Sequence, residues 1–341
     1  MKFQILNSKG EPMVLNEKEA RIAQINQRTV NALGYEIDIT TLTTIMKKVS
    51  EQKFFEIAPA DYIPVRVGEG AWSSQLTTYR SFALADDFST GIINTGGSDS
   101  RLAVADSGVD SLSIQVKNWA KQIGWTIMDL EQAAKAGNWD LVTAKERSRK
   151  KNWDLGIQRT AFLGLNPTVL GLFNQVGVTN NTTLIIKPIS AMTGAELKTF
   201  VSQVLGIYRA NNNRTAWPTH FVIPEDDFLG LAGPSSADFP LKSVLQVLEE
   251  TFQTMTKNPA FKILPCAYAD AGAPQAVSAT DDYYALYNSD EESLRMDIPV
   301  DYTNTLANSV DNFSFNNVGY GQFTGVLAYR PKELMYFSYT V

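Results

Sequence analysis

From Tyr62 to Trp125 the chain reads as extended: Leu112, Ile114 and Val116 alternate with Ser111, Ser113, Gln115 and Lys117, the period of two that a half-buried strand requires. The two limbs of this stretch flank ADDFSTGIINTGGSDSRLAVADSG, Ala85 to Gly108, a connection too long and too polar for a tight hairpin turn. The pattern predicts a two-stranded arm. Strands of about 15 residues reach roughly 50 Å. An isolated ribbon is marginal in water, and its unpaired edges invite other chains. Such a chain must fold the arm back on its own core or lay it across a neighbouring molecule.

At 341 residues, with 44% hydrophobic and 19% charged residues, the chain has the composition of a folded protein with two domains, or one core carrying long excursions. Lys and Arg total 30 against 36 Asp and Glu, a formal net charge of -6, so no broad basic field exists to hold a polyanion. The single cysteine, Cys266, excludes an intramolecular disulfide and a clustered thiolate metal site, and reads as a small buried hydrophobe. No apolar core of signal-peptide length opens the chain, and no run approaches about 20 apolar residues. These absences predict folding in a cytoplasm, with no membrane partner.

Upstream of the arm, Asn16 is placed to cap a helix from Glu17 to Leu33, and Leu42, Ile45, Met46 and Val49 mark a second from Thr40 to Lys53. Downstream, Ile127 to Ala136 reads as a short helix and Asn138 as the cap of a longer one running to Phe162. Trp139, Val142, Trp153, Ile157 and Ala161 share a stripe of that helix, while Lys145, Arg147, Arg149, Lys150 and Lys151 crowd its middle. A solvated helix face is the plain reading of the cluster; contact with packaged nucleic acid or an acidic neighbour is the functional one. The uncharged stretch FLGLNPTVLGLFNQVGVTNN, Phe162 to Asn181, follows as a phosphate loop would, but it has no Lys and no GK[ST].

TLIIKPI, Thr183 to Ile189, predicts a buried strand, and Thr193 with Glu196 a capping box before a helix with the stripe Leu197, Phe200, Val201, Val204, Leu205 and Tyr208. THFVIP, Thr219 to Pro224, predicts a strand running into the short helix EDDFLGL. Leu241, Leu245, Leu248, Phe252 and Met255 mark a further helix. Strands dominate the last third, with FKILPCAYA, YYALYN, RMDIPVDYT and the stretch from Thr324 to the end.

Chemistry is scarce. His220 is the only histidine, which removes clustered-histidine metal sites, and no G-x-S-x-G supports it in a Ser-His-Asp arrangement. Glu225, Asp226 and Asp227 are dense enough for acid-base work, but acids in a first turn are also what a helix dipole favours. Asp290, Glu291 and Glu292 lack the spaced ligands of a calcium loop. GYGQFTG, Gly319 to Gly325, has its third glycine one place late for a dinucleotide fingerprint and precedes a strand. No catalytic, cofactor-binding or metal residue is assigned.

From roughly Ala58 to the C-terminus the order of elements resembles the major capsid protein of tailed bacteriophages, the Hong Kong 97-type fold shared with encapsulins. The likeness is carried by the arm, the long spine helix, the crossing GLNPTVLGLFNQVGVT, the alternation around THFVIPEDDFLGL, and the late strand with GVLAYRPKELMYF. LGLFNQVGV, Leu170 to Val178, is its most specific piece, since such chains often follow the spine with a G-L-x-N-x-x-G-V run.

The resemblance implies an α+β fold with an N-terminal arm over 1–57 and an extended loop over 58–126. A peripheral domain with the spine helix would take 127–217 and 304–341, and an axial domain 218–303, its loop Asp270 to Asp281 near a ring axis. It implies a structural, non-enzymatic protein, without cofactor, that assembles through pentameric and hexameric rings into an icosahedral shell around double-stranded DNA. Assembly would occur in the host bacterial cytoplasm and end in the virion capsid. Trp72, Tyr79, Arg80, Phe82, Leu112 and Ile114 are the implied inter-subunit contacts. Lys145, Arg147, Arg149, Lys150 and Lys151 are the implied interior basic cluster, touching packaged DNA non-specifically. Portal, scaffold and decoration proteins are the implied further partners; too little sequence precedes Ala58 for a built-in cleavable scaffold segment, and no position matches a cross-linking motif. An encapsulin-like nanocompartment is the nearest alternative, and an acid hydrolase using Glu225 and Asp227 a more distant one.

Overall fold

A computed structural model describes residues 3–6, 12–15, 53–84, 106–135, 140–165, 168–234 and 242–341. Both helices expected before residue 53, the connection between the limbs of the arm, and the positions of Asn138, Trp139 and Leu241 lie outside the described residues. The chain divides into two units, residues 1–54 with 128–141 and residues 55–127 with 142–341. In the first, β1 (Phe3–Leu6) pairs antiparallel with β2 (Pro12–Leu15).

In the second unit the chain passes through β3 (Val65–Val67), β4 (Gln75–Leu84), β5 (Asp106–Gln115) and β6 (Lys117–Thr126). Helix α1 (Ile127–Lys135), nearly all of it in the first unit, leads to the long α2 (Leu141–Leu163). There follow β7 (Thr179–Asn181), α3 (Gly194–Asn211), β8 (His220–Pro224), α4 (Glu225–Gly230), α5 (Val244–Thr256), β9 (Lys262–Cys266) and β10 (Asp281–Tyr287). β11 (Leu294–Ile298), β12 (Val300–Asn304), β13 (Asn308–Ser309), β14 (Ser314–Phe323), β15 (Val326–Ala328) and β16 (Leu334–Thr340) complete the chain.

A five-stranded mixed sheet, β7-β16-β10-β8-β9, is the centre of this unit. Its central strands β16, β10 and β8 are mostly apolar because both faces are covered, whereas the edge strand β7 is Thr-Asn-Asn and largely exposed. Phe221, Ile223, Tyr284, Leu286, Met335 and Phe337 point to a core built with Phe200, Val204 and Leu205 of α3 and Leu248 and Phe252 of α5. Their neighbours Val222, Ala285, Tyr287, Leu334 and Tyr336 belong to a second core that includes Trp153, Ile157, Ala161 and Phe162 of α2. The period of two thus splits one sheet between two cores. A smaller sheet, β15-β11-β3, a longer one in which β14 pairs with β12, β13 and β6, and the two-stranded ribbon β4-β5 make up the rest.

Three sequence expectations change. The strand over Thr183 to Ile189 does not form: β7 ends at Asn181, whose side-chain oxygen accepts the backbone N–H groups of Thr183 and Leu184 and turns the chain. The arm is shorter than Tyr62 to Trp125. Only β4 and β5 pair as a ribbon, whereas β6 leaves it at buried Val116 and pairs with β14 from Ser314↔Thr126 to Phe323↔Lys117. The five-stranded sheet also runs across the divisions at 217/218 and 303/304, because β7 and β16 pair into the same sheet as β8, β9 and β10. GYGQFTG, to which the sequence assigned no role, is a packing seam: a Cβ at Gly319 would lie 2.6 Å from Arg149 Nε, and one at Gly321 2.5 Å from the Trp153 ring.

The uncharged crossing after α2 folds back on the helix end. Leu172 and Phe173 donate backbone N–H groups to the carbonyls of Ala161 and Phe162, and Asn174 Nδ2 donates to Leu163 O. The last carbonyls of α2 are satisfied in this way. Gly164 sits at φ +74°, and a Cβ at Gly171 would fall 2.5 Å from the Gly164 nitrogen, so the close passage requires both glycines.

Candidate assembly surface

The ribbon has two unlike faces. Leu76 pairs with Ile114 and Thr78 with Leu112, and all four are half-buried; Thr77 pairs with Ser113 and Tyr79 with Ser111, and these are exposed. Thr78 Oγ1 lies 3.4 Å from the Tyr329 hydroxyl, so the half-buried face is the one turned to the subunit's own body. Of the six contact residues expected from sequence, Leu112 and Ile114 therefore share a face that is already partly covered. Tyr79, 74% exposed, points the other way. Arg80 and Phe82 lie in β4 where only backbone is described, Arg80 in register with Asp110 and Phe82 with Gly108.

Trp72 stands at the elbow from which the ribbon leaves. Gly68, Gly70 and Trp72 have φ of +91°, +75° and +65°. Glycine occupies that region freely, but a bulky aromatic residue there is strained by about 1–3 kcal/mol. The strain is held in place by β14: the Trp72 backbone N–H donates to Gln322 Oε1 at 2.7 Å, Gln322 Nε2 donates to Asn118 Oδ1 at 2.7 Å, and the Trp72 ring lies 5.8 Å from that of Tyr320. The indole is nevertheless 70% exposed. Gln322 was not singled out from sequence; its one signal is a polar amide in an otherwise small and aromatic strand end.

The basic cluster on α2 separates. Arg149 is 2% exposed and cannot serve as a surface cation. Its Nε donates to the Tyr302 hydroxyl at 2.8 Å, Nη1 to Asn317 Oδ1 at 2.7 Å and to the carbonyls of Asn317 and Lys121, and Nη2 to Asn304 Oδ1 at 3.0 Å. These acceptors are neutral; Asn317 passes the interaction on to Glu146 through a 2.7 Å hydrogen bond. Burying the guanidinium among so many acceptors ties α2 to β6, β12 and β14. Lys151 pairs with Glu56. Lys145, half-buried, donates to Gly124 O at 2.7 Å. Lys150 and Arg147 are exposed, Lys150 near Asp154, whose carboxyl is pushed up by burial against the pull of Lys150 and Lys151.

The acid-base candidates are occupied structurally. Asp227 is buried and accepts from the backbone N–H groups of Ile189 (2.8 Å) and Ser190 (2.7 Å) and from the Tyr284 hydroxyl (3.0 Å), so it fixes the turn before α3 and is not paired with Glu225 for hydrolysis. Asp270 accepts the Asp226 N–H at 3.2 Å, capping α4 from another loop where Pro224 offers no side-chain cap; burial pushes its carboxyl up to about 6. His220 stacks on Tyr287 with Thr219 Oγ1 2.9 Å from its Nδ1, and burial, helped by Lys262, lowers it to about 4. Cys266 is buried and pushed up to about 12 by that burial, so it holds no thiolate at neutral pH. Among the described residues no three His, Cys, Asp or Glu side chains converge to hold a metal, and no helix is long and apolar enough to cross a membrane.

The sequence pattern of the family described as Major capsid protein matches residues 90–339. The chain belongs to the major capsid protein family. A capsid protein of this family is a structural, non-enzymatic component of the virion shell, and copies of it associate with one another. Its α+β fold is the Hong Kong 97-like fold of solved phage capsids. It is similar to the capsid of Myoviridae Phage XM1 with a TM-score of 0.72 at 16% identity, covering 89% of this chain and 99% of that one. The capsid of a native GTA particle gives a TM-score of 0.55 at 12% identity over 91% of this chain and 100% of that one. The mature capsid of bacteriophage PhiM1 gives 0.53 at 12% identity over 87% and 91%. A comparison with curated proteins found no match. In this capsid protein the ribbon carries exposed Tyr79, and its strained elbow carries exposed Trp72.

Proposed function

We propose that each copy lays its β4–β5 ribbon across the next, and that these contacts close into rings of five and six that build an icosahedral shell around double-stranded phage DNA. The carrying observation is the ribbon itself: two strands, a half-buried inner face, and Tyr79 and Trp72 presented to solvent. A head-to-tail contact of this kind forms rings when its rotation closes. The layer of α3, α5 and the five-stranded sheet would be the axial part, with the loop Asp270 to Asp281 toward the ring axis. α2 with β6, β14 and β12 would be the peripheral part. Portal, scaffold and decoration proteins, non-specific contact of Arg147 and Lys150 with DNA, and assembly in the host bacterial cytoplasm belong to the same reading. The nanocompartment alternative has nothing in its favour beyond a shared fold.

The test replaces residues 85–105 with a short Gly-Ser linker and sizes purified protein by light scattering. Wild-type protein is expected to form megadalton particles, and the shortened protein to stay small while keeping its circular dichroism melt. Particles of wild-type size from the shortened chain would refute the ribbon's role.

A further inference from the structure

The seam between β6 and α2 is rich in cations. β6 carries Lys117 and Lys121 and no acid. Between Leu141 and Trp153, α2 carries Lys145, Arg147, Arg149, Lys150 and Lys151 with Glu146 as its one acid, and Asn317 Nδ2 donates to that carboxylate at 2.7 Å. Arg149 and Lys151 are engaged inside the subunit, by neutral acceptors and by Glu56. Sequence reading grouped the helix cations alone; the two on β6 join them only through the fold.

Three of these lysines form a row. Lys117 and Lys121 stand on the face of β6 that packs against α2, with half-buried Trp119 between them. Lys145 comes from the helix. Its Nζ donates to Gly124 O at 2.7 Å, Lys121 Nζ donates to Asn152 Oδ1 at 3.4 Å, and Lys117 Nζ donates to Gln115 Oε1 at 2.9 Å. Each lysine is held by a neutral acceptor, and among the described residues no carboxylate pairs with any of the three. Positioned cations without counter-ions favour an anionic partner. Trp119 is packed against Trp153 and Tyr302, with ring centroids 5.3 and 6.2 Å away, so the row offers charge while its aromatic side chain is taken up by the core.

We infer that Lys117, Lys121 and Lys145 form a docking row for the phosphate backbone of duplex DNA, engaged without regard to base sequence. Seven strand steps of about 3.3 Å make the row from Lys117 to Gly124, where Lys145 reaches, roughly 23 Å long. A duplex carries one negative charge per about 1.7 Å of its axis, so a segment laid along the row brings roughly a dozen phosphates to three lysines. Any register of the duplex then gives each lysine a partner, which an acidic peptide could do only by matching the spacing. With a formal net charge of -6 on the whole chain, attraction is confined to this local surface. The inference rests on the DNA-enclosing reading above and adds a defined seam to it. Arg147 lies about 160° around α2 from the seam-facing Arg149, which makes it a control.

Fluorescence anisotropy tests it, with full-length protein kept dilute and unassembled and a labelled duplex of about 20 base pairs, titrated between about 25 and 200 mM NaCl. Wild-type affinity is expected to fall as salt rises. K117Q/K121Q/K145Q is expected to weaken binding at least about tenfold at the lowest salt and to flatten the slope of log affinity against log salt by about 2 to 3, since each phosphate contact contributes about 0.9. K117R/K121R/K145R, which keeps the charge, is expected to stay within about threefold of wild type. Circular dichroism melts confirm that the variants fold; if the triple glutamine variant does not, exposed Lys121→Gln alone is expected to flatten the slope by about 0.9. A folded glutamine variant that binds as wild type does, with the slope lost instead in R147Q/K150Q, overturns the row and leaves the DNA reading standing. Wild-type protein that shows no salt-dependent binding overturns both. A glutamine variant that binds DNA normally but forms particles poorly in buffer free of nucleic acid shows that the row meets a second copy, and also overturns the inference.

Discussion

At the scale of single residues, the capsid protein combines a strained, exposed Trp72 at the ribbon's elbow with a buried Arg149 that ties the long helix to its sheet. Trp72→Gly relieves the left-handed backbone and loses the ring contact with Tyr320, so the folded subunit is expected to change in stability by less than about 1 kcal/mol, while particle yield falls at least about tenfold because a central aromatic anchor is gone. Chemical denaturation and light scattering check the two halves; a stability loss above about 2 kcal/mol with unchanged assembly would make Trp72 a merely structural residue. Asp270 supplies a pH dependence. Burial raises its folded carboxyl from 3.8 to about 6, so the protonated form is the one the fold prefers. Its favourable contribution is present below pH 3.8 and is lost as pH rises through about 6. Asp270→Asn, neutral and still able to accept from the α4 N–H groups, is expected to melt higher than wild type at pH 7.5, with the gap closing toward pH 5. A lower melt at pH 7.5 would contradict this. Arg149 was legible only as one cation among five. That Tyr302, Asn304 and Asn317 converge on it from more than 150 residues away is a property of packing that no local pattern carries.

At the scale of elements, period and capping made much of the fold readable. The capping box at Thr193 and Glu196 is formed, and HFVIP, YYALY and LMYF are continuous apolar runs because their sheet is buried twice. Apolar character without alternation misled at TLIIKPI, where an Asn181 side chain competes for the backbone. The end of the ribbon was misplaced because β5 and β6 are one alternating run, interrupted only by Val116, and nothing local reveals that its second half pairs with β14. The α2–β14 seam gives a paired prediction. Gly321→Ala drives a methyl against the Trp153 ring and is expected to destabilise by about 1–3 kcal/mol; Gly156→Ala, in the interior of α2 with nothing within 4 Å of the new methyl, is expected to stabilise by about 0.5–1 kcal/mol. Equal effects in denaturant titration would show that the seam does not explain the glycine.

At the scale of the whole molecule, the order of elements carried the resemblance to phage capsids, and the family pattern over 90–339 places the chain among them. The inner borders were not legible, since β16 comes back at the end of the chain to sit beside β10 and β7. What remains to be tested is where the ribbon gains its order. Hydrogen-deuterium exchange of the far half of the ribbon, residues 80–84 and 106–110, compares dilute unassembled protein with purified shells. A two-stranded ribbon is marginal alone, so these amides are expected to exchange fast in the free subunit and at least about a hundredfold slower in the shell. Equal protection in both states would mean that the ribbon is ordered by its own subunit, and would contradict an assembly built on its reaching the next copy.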